Sequence, residues 1–218
     1  MGEGIAHIIS PASAVWCSWL MLALLICGIL SELFQPGVVS QAKSSLSVQT
    51  ERVYKESPSN FMGQLMISLF RIGVLSMAFY LCCDATGSFS FTGFWVIFGL
   101  VLVLHVVKML MSGSVDFTFR LTRRFGNAYE HYGNILTLVT AATYPVLLVL
   151  MRYGTLSVNR WVLGSLGVVF LLLWSFRTFR QFVTTPRAIL YVLMYICTVE
   201  LLPWVMLYIF SNQLISQI

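Results

Sequence analysis

The sequence has few charged side chains. Only 10% of its 218 residues are Asp, Glu, Lys or Arg, whereas 58% are hydrophobic, and the mean hydropathy is +0.85. A soluble domain usually carries about 25% charged residues, so this chain lacks the polar surface that an ordinary cytoplasmic enzyme needs. The same composition excludes a disordered tail and a disulfide-rich secreted module. It predicts an integral membrane protein.

The sequence also lacks the motifs of metal, nucleotide and nucleophilic chemistry. Its three histidines are scattered, and it has no H-E-x-x-H, no paired acidic cluster and no glycine-rich phosphate-binding motif. Ser112 and Ser165 have glycine neighbours but do not form G-x-S-x-G. The net charge of +5 is not gathered into a dense Lys/Arg tract, so nucleic acid is not an expected partner. We therefore expect no enzyme activity, no catalytic residues, no cofactor and no metal.

Cysteine is sparse and odd in number. The chain has five cysteines and no C-x-x-C motif. All five lie in or at the edges of apolar stretches, namely Cys17, Cys27, Cys82, Cys83 and Cys197. This setting favours small buried hydrophobic residues over a disulfide framework or a redox site.

Six apolar stretches are long enough to cross a membrane. They span about 13–34, 61–83, 91–111, 135–153, 161–176 and 189–210, and a helix that rises 1.5 Å per residue crosses the hydrocarbon layer within such lengths. The segment 1–11 has no Lys or Arg, unlike the start of a cleaved signal peptide, so we expect the first helix to be retained. The predicted fold is an all-α polytopic bundle of about six helices, forming one membrane domain over 1–218.

Basic residues are concentrated in three connections. Nine of them lie there, namely Lys43, Arg52, Lys55, Arg120, Arg123, Arg124, Arg177, Arg180 and Arg187. Of the opposite connections only 154–160 contains one, Arg160. Because cytoplasmic loops are enriched in Lys and Arg, this distribution places the three connections in the cytoplasm and both termini in the periplasm of a bacterial inner membrane.

The second cytoplasmic connection contains a helical pattern. Its apolar residues recur every four positions over about 117–129, namely Phe117, Leu121, Phe125 and Tyr129, and its arginines fall on the other side. This pattern predicts an amphipathic helix at the level of the lipid headgroups, with Arg120, Arg123 and Arg124 at the cytoplasmic interface. A surface connector and a partner-binding helix both fit it.

Two charged residues lie deep in predicted spans. Arg71 is about ten residues into the second stretch and Glu200 about eleven into the sixth, so both lie about 15 Å from the cytoplasmic end. A charge in hydrocarbon is costly unless it is paired or hydrated. We therefore predict an ion pair that fixes helix register, or alternatively an ion or proton path or a recognition site for a partner's charge.

Other polar or helix-breaking residues in the spans are secondary candidates. His105 lacks a second histidine at a suitable depth for haem, and Lys108, one turn later, is expected to extend to the cytoplasmic interface. Pro145 and Pro203 interrupt the fourth and sixth stretches, where each frees a backbone carbonyl.

The C-terminal part resembles a known family. Tyr195, Cys197, Glu200 and Pro203 form a Y-x-C-x-x-E-x-x-P core, with Arg177 and Arg180 before it and looser matches at Gly133 and Pro145. These features are similar to a membrane family of Bacteroidota that is described only as a domain of unknown function. The resemblance implies a Gram-negative inner membrane and assigns no catalytic activity.

These observations favour a non-enzymatic inner-membrane subunit. Its expected partners are the lipid bilayer and other envelope proteins, such as those of a secretion or export machine. The alternative is a small transporter or proton-coupled carrier that uses Arg71, His105 and Glu200. A membrane enzyme that acts on lipid is a weaker third hypothesis.

Overall fold

The described part of the chain is helical. The computed structural model describes the backbone of residues 11–34, 36, 61–83, 91–119, 122–153, 155–182, 197 and 201–215, and the side chains of 15–34, 36, 61–83, 91–110, 132–153, 155, 157–176, 197, 201–210 and 213. The described residues form six α-helices, namely α1 (Pro11–Phe34), α2 (Phe61–Cys83), α3 (Phe91–Phe119), α4 (Thr122–Tyr153), α5 (Leu156–Phe182) and α6 (Leu202–Ile215). The prediction of an all-α fold is confirmed.

Five of these helices are long and apolar enough to cross a membrane. The spans are Val15–Phe34, Phe61–Cys83, Phe91–Leu110, Tyr132–Tyr153 and Ser157–Phe176. This finding indicates a multi-pass membrane protein. Of the sixth predicted stretch, residues 189–196 and 198–200 lie outside the described residues, and residues 202–210 form the start of α6.

The helices extend beyond the apolar stretches. The segment 117–129 does not form a helix of its own, because its first residues end α3 at Phe119 and its later ones belong to α4, which begins at Thr122. Hydropathy marks only the part of a helix that suits hydrocarbon, whereas the helical backbone continues into polar residues at the end of α3 and the start of α4. The predicted boundaries therefore match the spans better than they match the helices.

Helix α2 is the centre of the bundle and contacts each of the other five helices. Half of its span is buried, whereas about a fifth of the spans of α1 and α5 is. Val74 and Met77 are completely buried on it. A functional side chain on α2 is therefore surrounded by protein more than one on any other span.

The contact between α1 and α2 is close because glycines lie within it. A Cβ on Gly73 would collide with the side chain of Leu24, and a Cβ on Gly28 would touch the Phe70 ring at 3.4 Å. Tyr144 of α4 adds a hydrogen bond of 2.9 Å from its hydroxyl to the Met21 carbonyl. Small residues that let backbones approach are the usual means of packing membrane helices.

Aromatic rings pack at the C-terminal end of α2. Trp16, Tyr80 and Phe94 form edge-on and tilted contacts with centroids 5.7 to 6.4 Å apart. Arg160 of α5 donates from Nε to the Cys82 carbonyl at 2.9 Å. The start of α1, the end of α2, and the starts of α3 and α5 thus meet at one end of the bundle.

The cysteines partly follow the sequence prediction. All five are free thiols. Cys17 and Cys83 are buried and Cys27 and Cys82 are half-buried, as expected for small hydrophobic residues, but Cys197 is exposed. The prediction of a buried cysteine is therefore wrong at Cys197.

Candidate functional site

Arg71 lies in the middle of α2 and reaches across to α4. Its Nε donates a hydrogen bond of 2.7 Å to Thr137 Oγ1, and the Thr137 hydroxyl donates one of 2.8 Å to the Gly133 carbonyl. A Cβ on Gly133 would lie 3.1 Å from Arg71 Nη1 and 3.7 Å from Cζ. The guanidinium therefore lies against the backbone of α4, at a position where only glycine leaves it full room.

Lys108 is inside the protein, so the prediction that it extends to the cytoplasmic interface is wrong. The residue is only 7% exposed. Its Nζ donates to the Tyr132 hydroxyl at 3.1 Å and lies 5.4 Å from the centre of the Trp204 ring. Because side chains on a helix tilt toward its N-terminus, Lys108 points back along α3 toward the middle of the bundle. There an aromatic ring and a hydroxyl replace water around the ammonium.

His105 completes a group of three basic side chains. It is half-buried on α3, one turn before Lys108. Both Arg71 and Lys108 are close enough to act on its imidazole electrostatically. We call Arg71, His105 and Lys108 the cationic cluster. The cluster joins the interior faces of α2 and α3 and contacts α4 and α6.

Aromatic side chains pack around the Lys108 ammonium of the cationic cluster. Tyr132 packs edge-on against Phe170 and Trp174 of α5, with centroids 5.7 and 5.1 Å away. Trp204 of α6 stacks on Phe79 of α2 at 5.5 Å with the rings nearly parallel. The indole Nε1 of Trp204 is buried and has no hydrogen-bond partner among the described residues.

The two charged groups and the indole of this centre are all hydrogen-bond donors. The guanidinium, the ammonium and the indole N–H donate, and none of them accepts. Within the described residues no group of three or more His, Cys, Asp and Glu side chains could hold a metal ion. A site of this composition attracts carboxylate or phosphate oxygens and repels cations.

The structure brings together some of the predicted site residues. Arg71 and His105 lie within electrostatic reach of each other, and Pro203 is half-buried in the first turn of α6, next to Trp204 in the sequence. Cys197 and Leu201 are in π-helical conformation, which is frequent at functional sites. Outside the described side chains lie Glu200, Tyr195, Arg120, Arg123, Arg124, Arg177 and Arg180, so the Arg71–Glu200 pair stays a prediction.

Sequence reasoning missed several members of the site. Lys108 carried a signal, because it follows His105 by three positions and so shares a helix face with it. Gly133 and Thr137 carried a weaker signal, because they are four positions apart in the sequence. Trp204 carried none, since a tryptophan in an apolar stretch is typical of any membrane helix.

Replacing Thr137 with valine should destabilise the protein, since Arg71 would lose a hydrogen bond inside the bundle. Bonds to charged groups contribute about 1.5–3 kcal/mol, and the free energy of unfolding can be measured by SDS titration in mixed micelles. Thr143→Val is the matched control, because Thr143 donates only to the Val139 carbonyl of its own helix. Equal losses in the two variants would contradict a specific role for the Arg71 bond.

Comparison with known proteins identifies one family. The model of the family described as "Domain of unknown function (DUF4271)" matches residues 17–210. The matched region contains the cationic cluster, Trp204 and Glu200. No curated protein and no solved structure matches the chain.

Proposed function

The chain belongs to the DUF4271 family. We propose that it is a non-enzymatic subunit of the bacterial inner membrane that assembles with other envelope proteins. We further propose that the bacterium is one of the Bacteroidota and that the assembly is of the secretion or export type. The distribution of basic residues supports cytoplasmic connections and periplasmic termini. The Y-x-C-x-x-E-x-x-P core from Tyr195 to Pro203 supports the assignment to this bacterial group.

The observation that carries the subunit proposal is an exposed glycine pair on α5. Gly164 and Gly167 are one turn apart on the same side of the helix, and both are exposed. Among the described residues, no atom from another part of the bundle lies within 4 Å of where a Cβ would be on either of them. Lipid chains do not require glycine, whereas a helix that approaches closely does.

Other glycines of this protein show what such positions do. Gly73 and Gly28 lie where α1 and α2 touch, and Gly133 lies under the Arg71 guanidinium. Each of these three accommodates a side chain from another helix. We infer that Gly164 and Gly167 do the same for a transmembrane helix of a partner protein. On this proposal α5 is the partner-facing helix of the bundle.

Affinity purification in mild detergent, followed by mass spectrometry, tests the proposal. The wild-type chain should retain a stoichiometric membrane partner, and Gly164→Leu or Gly167→Leu should lose most of it, because a leucine side chain would hold the partner helix away. Gly99→Leu on α3 is the control, because Gly99 is half-buried and has no second glycine one turn away. The absence of a stoichiometric partner, or equal retention in all three variants, would contradict the proposal.

A second candidate function is a small carrier for an anion or for protons, with Arg71, His105 and Glu200 along its path. The cationic cluster favours it, because ionisable side chains inside a membrane protein often mark a transport pathway. Glu200→Gln separates the two candidates. For a subunit it should reduce the abundance of the chain or release its partner. For a carrier it should leave the abundance of the chain and the retention of any partner unchanged, and it should abolish transport.

A further inference from the structure

Two arginines lie beside the short connection between α4 and α5. Only residues 154–155 separate the two helices. Arg152 is in the last turn of α4 and Arg160 is in the second turn of α5, and both side chains are exposed. Because a helix rises about 1.5 Å per residue, each arginine lies within about 6 Å of the connection along its helix axis. The two arginines are therefore at about the same level of the membrane.

An exposed aromatic side chain directly follows each arginine. Tyr153 follows Arg152 and is 77% exposed, and Trp161 follows Arg160 and is 80% exposed. No other large hydrophobic side chain in the described part of the chain has a higher exposed fraction. Tyrosine and tryptophan are enriched where a membrane meets water, because an apolar ring with a polar O–H or N–H suits the headgroup region. The two aromatic residues therefore indicate that the connection and its arginines lie among the lipid headgroups.

Contacts within the chain hold the two arginines in place without burying them. The Arg152 guanidinium carbon lies 6.0 Å from the centre of the Tyr153 ring. The Arg160 Nε donates to the Cys82 carbonyl at 2.9 Å, and this bond uses one of the five N–H groups of a guanidinium. The planar guanidinium can donate two parallel hydrogen bonds to a phosphate, and an ammonium cannot. Two exposed guanidinium groups at headgroup level thus suit a lipid phosphate.

We propose that Arg152 and Arg160, flanked by Tyr153 and Trp161, bind the headgroup of an anionic phospholipid such as phosphatidylglycerol. Phosphatidylcholine is the weaker ligand, because its choline brings a positive charge close to the arginines. On the proposed orientation the connection is periplasmic, so the lipid belongs to the outer leaflet of the inner membrane. The site also gives a function to Arg160, the one basic residue in a connection that is otherwise on the side poor in Lys and Arg. The proposal does not depend on whether the chain is a subunit or a carrier.

Lipid binding by the purified full chain tests the proposal. The chain is placed in a neutral detergent, phosphatidylglycerol or phosphatidylcholine is added over the same range of concentrations, and native mass spectrometry counts the lipids that stay bound. Phosphatidylglycerol should bind at the lower concentration. Arg152→Gln should weaken its binding about fivefold, as expected for the loss of one basic residue that faces an anionic lipid. Arg160→Gln should weaken it at least as much.

Arg177→Gln is the matched control, because it removes the same charge toward the other end of α5. Arg152→Gln is the decisive variant, since Arg160→Gln also loses the bond to the Cys82 carbonyl. Equal weakening in Arg177→Gln and Arg152→Gln would indicate a general attraction of anionic lipid to a basic protein and would overturn the site. Equal binding of the two lipids would also overturn it. If Arg152→Gln then lost a copurifying protein, the arginines would instead contact the carboxylates of that protein.

Discussion

Arg71→Ala is expected to destabilise the bundle by about 3–5 kcal/mol, because removal of one member of a buried ion pair leaves the other charge uncompensated. The predicted partner is Glu200. Arg71 also donates to Thr137 and lies against Gly133, so its loss removes contacts between α2 and α4 as well. The measurement is the free energy of unfolding by SDS titration, with the amount of folded chain in the membrane as a second readout.

A double-mutant cycle tests the pairing itself. If Arg71 and Glu200 compensate each other, the double variant Arg71→Ala/Glu200→Ala should be no less stable than the worse single variant. Arg160→Ala with Glu200→Ala is the control, because Arg160 bonds the Cys82 carbonyl at the other end of α2. If the losses of unfolding free energy at positions 71 and 200 simply add, the two residues do not form an ion pair. Arg71 would then belong to the cationic cluster without Glu200 as its partner.

The fold could be predicted from the sequence because a membrane imposes one strong rule. Backbone groups in hydrocarbon must be satisfied within the helix, so the apolar stretch 61–83 coincides with α2 and the stretch 91–111 forms the larger part of α3. The same rule does not apply outside the hydrocarbon. The helix ends at Phe119 and Thr122 were therefore missed, because hydropathy contains no information about where a polar helix stops.

Only part of the candidate site could be predicted from the sequence. A charged residue in an apolar stretch is recognisable because its burial is costly, but the sequence does not show which residues lie beside it. Arg71 and His105 were found because a charged or ionisable group in hydrocarbon needs an explanation. Lys108 was assigned to the interface because a long basic side chain near a span end usually extends there. The direction of its side chain along α3, and the positions of Tyr132 and Trp204, come from the packing of separate helices. No local pattern encodes such packing.

Gly73→Leu is expected to have the second large effect, a separation of α1 from α2. Even a Cβ at this position would collide with Leu24, and a shift of α2 away from α1 would disturb its packing against the four other described helices. Overpacking of an interior costs about 1–3 kcal/mol and more where the backbone must move. The midpoint of thermal unfolding in detergent, followed by circular dichroism, should fall accordingly.

Compensation distinguishes a steric effect from a general loss of stability. Shortening the opposing residue in Gly73→Leu/Leu24→Ala removes the colliding atoms and should recover much of the lost stability, although Leu24→Ala alone is itself destabilising because Leu24 is buried. Gly99→Leu, where the helix has open space, should be nearly neutral. If the double variant were no more stable than Gly73→Leu, the close contact of α1 with α2 would not be the cause.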